Sequence, residues 1–213
     1  MNFYKNVIEH KGKLLIRGVM NGKDYKEKID FGPTLYALSQ TEKTEFKTLQ
    51  GQYLKPIKFN DIRNARQFKK DYGAQSPLYG LERYHYQYIG QNYPEAIEFS
   101  KEHIKIFTLD IETSCENGFP DVENPIEELL AITVKNQSNK QIITWGVGQY
   151  KTDRPDVTYV YCKNEKQLMF EFMKFWIKNH PDIVTGWNTK FFDLPYLMNR
   201  IKLIAGDKVA NRM

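Results

Sequence analysis

The sequence predicts two domains of different class. Residues 1–102 read as a small α+β, sheet-and-helix domain, and residues 103–213 as an α/β domain with a mixed sheet flanked by helices. Three observations carry this. Residues 1–50 alternate short apolar segments with turn residues. From Ile104 onward the strands lengthen and alternate with helical periodicity. Charge divides at the same place: residues 1–102 hold 17 Lys and Arg against 12 Asp and Glu, whereas residues 103–213 hold 14 of each. Such asymmetry fits two domains and hints at a polyanionic partner for the first.

In the first half, Asn6–His10 and Leu14–Met20 read as strands joined through Lys11-Gly12-Lys13. Asn21-Gly22 is the dipeptide of a type I′ hairpin turn. Asp24–Phe31 and Leu35–Leu38 complete a small antiparallel sheet. A helix follows over 61–72, with Ile62, Ala65, Phe68 and Tyr72 on one face, Asn60 or Asp61 as its cap, and Gly73 at its end. Arg63, Arg66 and Lys70 form a basic stripe on the opposite side. That stripe is either a phosphate track or a solvated helix face. Tyr84, Tyr86 and Tyr88 either stack bases or, as their alternation predicts, form one face of a strand packed on a helix. The polar run through Asn92-Tyr93-Pro94 to Glu102 reads as the domain boundary.

In the second half, Ile104–Thr113 is a buried strand ending in Asp110-Ile111-Glu112. Gly118-Phe119-Pro120 and an acidic loop through Asp121, Glu123, Glu127 and Glu128 follow. Strands are expected at 129–134, 141–147 and 156–162. Asn164 caps a helix with Gln167 at the capping-box position and Leu168, Phe172, Phe175 and Trp176 inward. Asp182–Asn188 is strand into loop, and Asp193 opens a last helix with Leu194, Leu197, Met198, Ile201 and Ala205 facing the core.

Composition excludes several classes. Two cysteines make no disulfide framework, no Cys/His spacing suits zinc, and no apolar run is long enough to span a bilayer. The start, Met1-Asn2-Phe3-Tyr4-Lys5, is not that of a signal peptide. A reducing, cytoplasmic location is expected, that of the host cell if the chain is viral, with no membrane partner.

Side chains two apart on a strand share a face, so Asp110 and Glu112 project together. Two carboxylates there repel unless a divalent cation lies between them. A solvated strand end gives the same pattern. The second segment that bears on this is Thr185–Arg200.

Leu109-Asp110-Ile111-Glu112-Thr113, taken with Gly186-Trp187-Asn188-x-x-x-Phe192-Asp193-x-Pro195-Tyr196, resembles the first and second exonuclease motifs of family B DNA polymerases. Gly118-Phe119-Pro120 and the helix-bearing first half are most similar to the T-even type of tailed bacteriophages. The resemblance implies a 3′-5′ proofreading exonuclease on a ribonuclease-H-like fold. It implies two Mg²⁺ ions, with Mn²⁺ able to substitute, held by Asp110, Glu112 and Asp193 as catalytic and metal-binding carboxylates. It places Asn188 near the terminal nucleotide of a single-stranded DNA 3′ end and Phe192 in support of the motif. Phe119 either lies against the terminal base or fills a core edge.

The family's third motif, Tyr-x-x-x-Asp, is not met: Asp207 is the only acid after Asp193, and Leu203 stands four residues before it. The expectation is the amino-terminal part of a replicative polymerase, with residues 1–102 its amino-terminal domain and 103–213 the first part of an incomplete exonuclease domain. A second polypeptide would carry the rest of the exonuclease and the palm, fingers and thumb, and this chain alone would be inactive or weak. The alternative is a nucleic-acid-binding module, for single-stranded DNA or for RNA at the amino-terminal domain, or a structural platform without catalysis.

Overall fold

Turn chemistry shapes the amino-terminal unit. The computed structural model describes residues 2–41 and 43–213. Strands β1 (Phe3–His10), β2 (Lys13–Met20) and β3 (Lys23–Ile29) form an antiparallel sheet in that order. Lys11-Gly12 and Asn21-Gly22 join them, and all four residues have positive φ, as a I′ reversal requires. A second antiparallel sheet, ordered β5-β4-β6, is built from β4 (Thr34–Leu38), β5 (Leu54–Lys58) and β6 (Leu78–Tyr79). Helix α1 (Ile62–Tyr72) starts where expected: Asp61 accepts from the Asn64 N–H at 2.8 Å. Val7, Leu14, Ile16, Leu35, Ile62 and Ala65 are among the buried residues of this unit's core.

One expectation is corrected here and one alternative is narrowed. Tyr84, Tyr86 and Tyr88 lie on helix α2 (Tyr84–Asn92), not on a strand. Spacings of i and i+4 put Tyr84 and Tyr88 on one helical face against the core, and Tyr86 between them is exposed. The α1 stripe is also partly committed to the fold. Arg66 pairs with Glu9 at 2.7 Å, and Arg63 donates to the Lys11 carbonyl at 3.1 Å. Those two cations brace α1 against the first sheet, which favours the structural reading of the stripe.

The second unit, Lys101–Met213, is distinct from the first, Met1–Ser100. A single 3₁₀ turn, Lys101–His103, precedes its first strand. Five strands form a mixed sheet in the order β10-β9-β8-β7-β11: β7 (Ile106–Thr113), β8 (Leu129–Asn136), β9 (Ile142–Val147), β10 (Val157–Cys162) and β11 (Ile183–Thr185). β7, β8 and β9 pair antiparallel, while β10 and β11 add in parallel at the two edges.

Helices α3 (Glu165–Asn179), α4 (Asp193–Ala205) and the short α5 (Asp207–Ala210) complete the unit. Phe107, Leu109 and Ile111 of β7 share one core with Leu168 and Phe172 of α3 and Leu197 of α4. The α3 cap is as expected, with Asn164 accepting from the Gln167 N–H at 3.0 Å. The inward face of α4 is displaced from expectation. Tyr196, Leu197, Arg200 and Ile201 are buried, whereas Met198 and Ala205 are exposed. Among the described residues, no helix is long and apolar enough to cross a membrane.

Candidate functional site

Strand β7 carries the acid pair. Burial along it alternates strictly from Phe107 to Glu112, so Phe107, Leu109 and Ile111 face the core while Asp110 and Glu112 share the exposed face. Asp110 stands opposite Thr133, and Glu112 opposite Ala131. The period-2 reading of these two residues therefore describes their placement.

Asp193 reaches the same strand from its other edge. β11 pairs with β7 only from Ile106 to Thr108 and stops at Thr185. Beyond that point side chains replace the missing strand. Asp193 Oδ1 accepts from the Ile111 N–H at 3.2 Å, and Thr189 Oγ1 donates to the Leu109 carbonyl at 3.5 Å. Gly186 makes the close approach possible: a Cβ there would overlap Thr189 Oγ1 and lie 2.5 Å from the Leu109 oxygen. Asp193 is only 3% exposed. Burial raises its pKa, the Ile111 N–H pulls it down, and the charges of Asp110 and Glu112 push it up.

The metal expectation fails on this geometry. Among the described residues, no three or more His, Cys, Asp and Glu side chains are gathered so that they could hold a metal ion. Asp110 and Glu112 stand on the exposed face, while the Asp193 carboxylate is turned to the backbone of β7 and serves as its edge acceptor. Two Mg²⁺ ions, or Mn²⁺ in their place, are therefore not supported at Asp110, Glu112 and Asp193. The function built on three metal-binding carboxylates, completed by a second polypeptide, is corrected with them.

Three exposed side chains of this region are aromatic. Phe119 is 88% exposed, Trp187 93% and Phe191 72%. The Phe119 ring lies 5.9 Å from that of Phe192, and Phe192 stacks on buried Tyr196 at 5.6 Å. Lys190 Nζ sits 5.2 Å over the Phe191 ring. Asn188 is exposed with φ +56°, and its carbonyl accepts from the N–H groups of Phe191 and Phe192, both at 2.9 Å. That turn sets the loop's exposed rings outside the helix start.

Sequence reasoning missed the polar scaffold beneath these rings. Glu127, read only as part of an acidic loop, is 3% exposed. Its carboxylate accepts from Ser114 Oγ, from the Glu116 N–H at 3.2 Å and from the Asn117 N–H at 2.7 Å. Those bonds, the Ser114 hydroxyl first, hold its pKa below the ordinary carboxylate value despite burial. Arg200 forms a buried two-pronged pair with Glu165, both contacts 2.8 Å. It also donates to the carbonyls of Pro125 and Ile126 at 2.9 Å. Arg200 was legible in principle: an arginine on the apolar stripe of a helix needs a buried partner. Glu127 gave no such signal among four neighbouring acids.

Comparison with known proteins agrees with the motifs. A family model described as DNA polymerase family B, exonuclease domain, matches residues 78–212. The DNA-directed DNA polymerase of Enterobacteria phage T4 is 27% identical over 222 residues, covering 90% of this chain and 24% of that protein. That of Escherichia phage RB69 is 26% identical, covering 91% and 24%. A DNA polymerase delta catalytic subunit from Caenorhabditis elegans is 32% identical over 112 residues, covering 51% and 10%. The chain thus spans about a quarter of the length of the two phage relatives. With the family match extending over most of its length, this chain belongs to the family B DNA polymerases through their exonuclease domain.

Proposed function

We propose that this chain is a nucleic-acid-binding platform of a DNA-directed DNA polymerase, one that takes the 3′ end of single-stranded DNA on exposed aromatic rings. The relatives' names supply the polymerase context. The observation that carries the reading is the exposure of Phe119, Trp187 and Phe191 beside the Asp193 loop. Exposed rings offer faces on which a base can stack. Bases stack on such rings irrespective of sequence, at about 1–3 kcal/mol each. Asn188 contacts the terminal nucleotide, and Phe192 backs Phe119 from the protein side. Residues 1–102 form the polymerase's amino-terminal domain, and residues 103–213 form the first part of its exonuclease domain.

The test is fluorescence anisotropy with a labelled oligothymidylate. The chain binds, and Phe119→Ala and Trp187→Ala each weaken binding by about tenfold, the scale of one lost stacking contact. Absence of binding at low salt, or binding indifferent to both substitutions, removes the reading.

A further inference from the structure

The loop that follows β7 is tied at its neck by a buried carboxylate, that of Glu127. Ser114 N–H donates to the Glu128 carbonyl at 2.8 Å, and the Glu128 N–H returns to Ser114 Oγ at 3.0 Å. Between them the Glu127 carboxylate takes the Ser114 hydroxyl and the N–H groups of Glu116 and Asn117. The returning half of the loop is fixed to α4 by three side chains on one helical face. Tyr196 Oη donates to the Glu127 carbonyl at 2.7 Å, Asn199 Nδ2 to the Val122 carbonyl at 2.9 Å, and Arg200 to the Pro125 and Ile126 carbonyls. Among the described residues, the outgoing half, Cys115–Phe119, has no comparable side-chain bonds to α4. Its route to the helix runs through Glu127, apart from the ring contact of Phe119 with Phe192.

Closing a loop with a buried charge held by backbone amides and a hydroxyl is expensive. What the arrangement supplies is direction: three donors converging on two oxygens fix the backbone immediately before Phe119. We infer that Glu127 is a positioning residue for nucleic-acid binding, holding Phe119 in the attitude at which a terminal base stacks on it. This inference rests on the aromatic-platform reading above. Ser114 is the second half of the clamp. Gln at 127 keeps the size but replaces one acceptor oxygen with an NH₂ group, which then faces donors.

The experiment combines binding and amide exchange on the whole chain. Glu127→Gln weakens binding of a single-stranded oligothymidylate by about tenfold, as Phe119→Ala does, and Glu127→Gln/Phe119→Ala is no weaker than Phe119→Ala alone. Ser114→Ala falls between the parent and Glu127→Gln. Losses that multiply in the double variant overturn the inference, as does parental affinity in Glu127→Gln. Hydrogen exchange reads the clamp without nucleic acid. In Glu127→Gln the amides of Glu116, Asn117 and Phe119 exchange faster, while those of α4 are unchanged. If exchange there is unaltered, Glu127 does not hold the loop and the inference is lost. If Phe119→Ala binds like the parent while Glu127→Gln still loosens the loop, it is the platform reading that fails.

Discussion

Asp193 is a carboxylate placed where a strand would otherwise continue. It carries a hydrogen bond that β11 would have made had it run past Thr185, and it does so in a buried position where the charges of Asp110 and Glu112 are felt. An acid whose pKa is raised on folding adds stability that is complete below its unfolded value, near 3.9, and lost as the pH rises through the raised value. At neutral pH the charge on Asp193 is therefore a net cost to the fold. Asp193→Asn keeps an oxygen for the Ile111 N–H and removes the charge. We expect the melting temperature of the second unit at pH 7 to lie above the parent's. Variant and parent should converge below about pH 4. A calorimetric series from pH 4 to 8 that finds no gap at neutral pH would show that the hydrogen bond outweighs the burial. This residue also marks how far the sequence could be read. The shared face of Asp110 and Glu112 followed from strand period alone, a local property. The direction of Asp193 depends on where β11 stops pairing with β7, a tertiary property that residue spacing does not reveal.

Helix α4 shows the same division at the level of an element. Its existence, start and length were legible from Asp193, Pro195 and the apolar repeat, but its inward face was set by polar contacts that spacing does not reveal. Arg200 turns inward because Glu165 of α3 and the Pro125 and Ile126 carbonyls await it, and Met198 is carried out to solvent as a result. Helix α2 failed for a different reason. Tyrosines at 84, 86 and 88 satisfy a period of two and also contain an i, i+4 pair, so the pattern alone fits either element. The Arg200–Glu165 pair permits a sharp test. Both side chains are almost fully buried, so removing one strands the other's charge. Arg200→Met should destabilise the second unit by about 3–5 kcal/mol, the usual cost of a broken buried pair. Arg200→Met/Glu165→Leu should recover part of that loss. It should not recover all, because the Leu129 N–H also donates to Glu165 at 2.7 Å and would be left without its acceptor. Urea titrations of the three proteins decide the matter. A double variant as unstable as the single one would mean that the backbone contacts, not the charge pair, hold α3, α4 and the loop together.

Over the whole molecule the buried residues fall into two separate sets. The cluster containing Leu14, Ile16, Leu35 and Ile62 belongs wholly to the first unit, and the cluster containing Leu109, Ile132, Phe172 and Leu197 wholly to the second. Cooperative unfolding follows a shared core, because each side chain's burial depends on its neighbours staying in place. Two cores therefore predict two transitions. The calorimetric enthalpy should exceed the van't Hoff enthalpy, and each transition should answer to its own core. Leu14→Ala opens a cavity under the first sheet at about 2–5 kcal/mol, and Phe172→Ala opens one beneath β9 and β8 at about 3–5 kcal/mol. In a unit of about 100 residues either loss should lower one transition by ~10 °C or more and leave the other where it was. If Leu14→Ala moved both transitions together, the two cores would be coupled, and a change in the amino-terminal unit would reach the aromatic platform through stability alone.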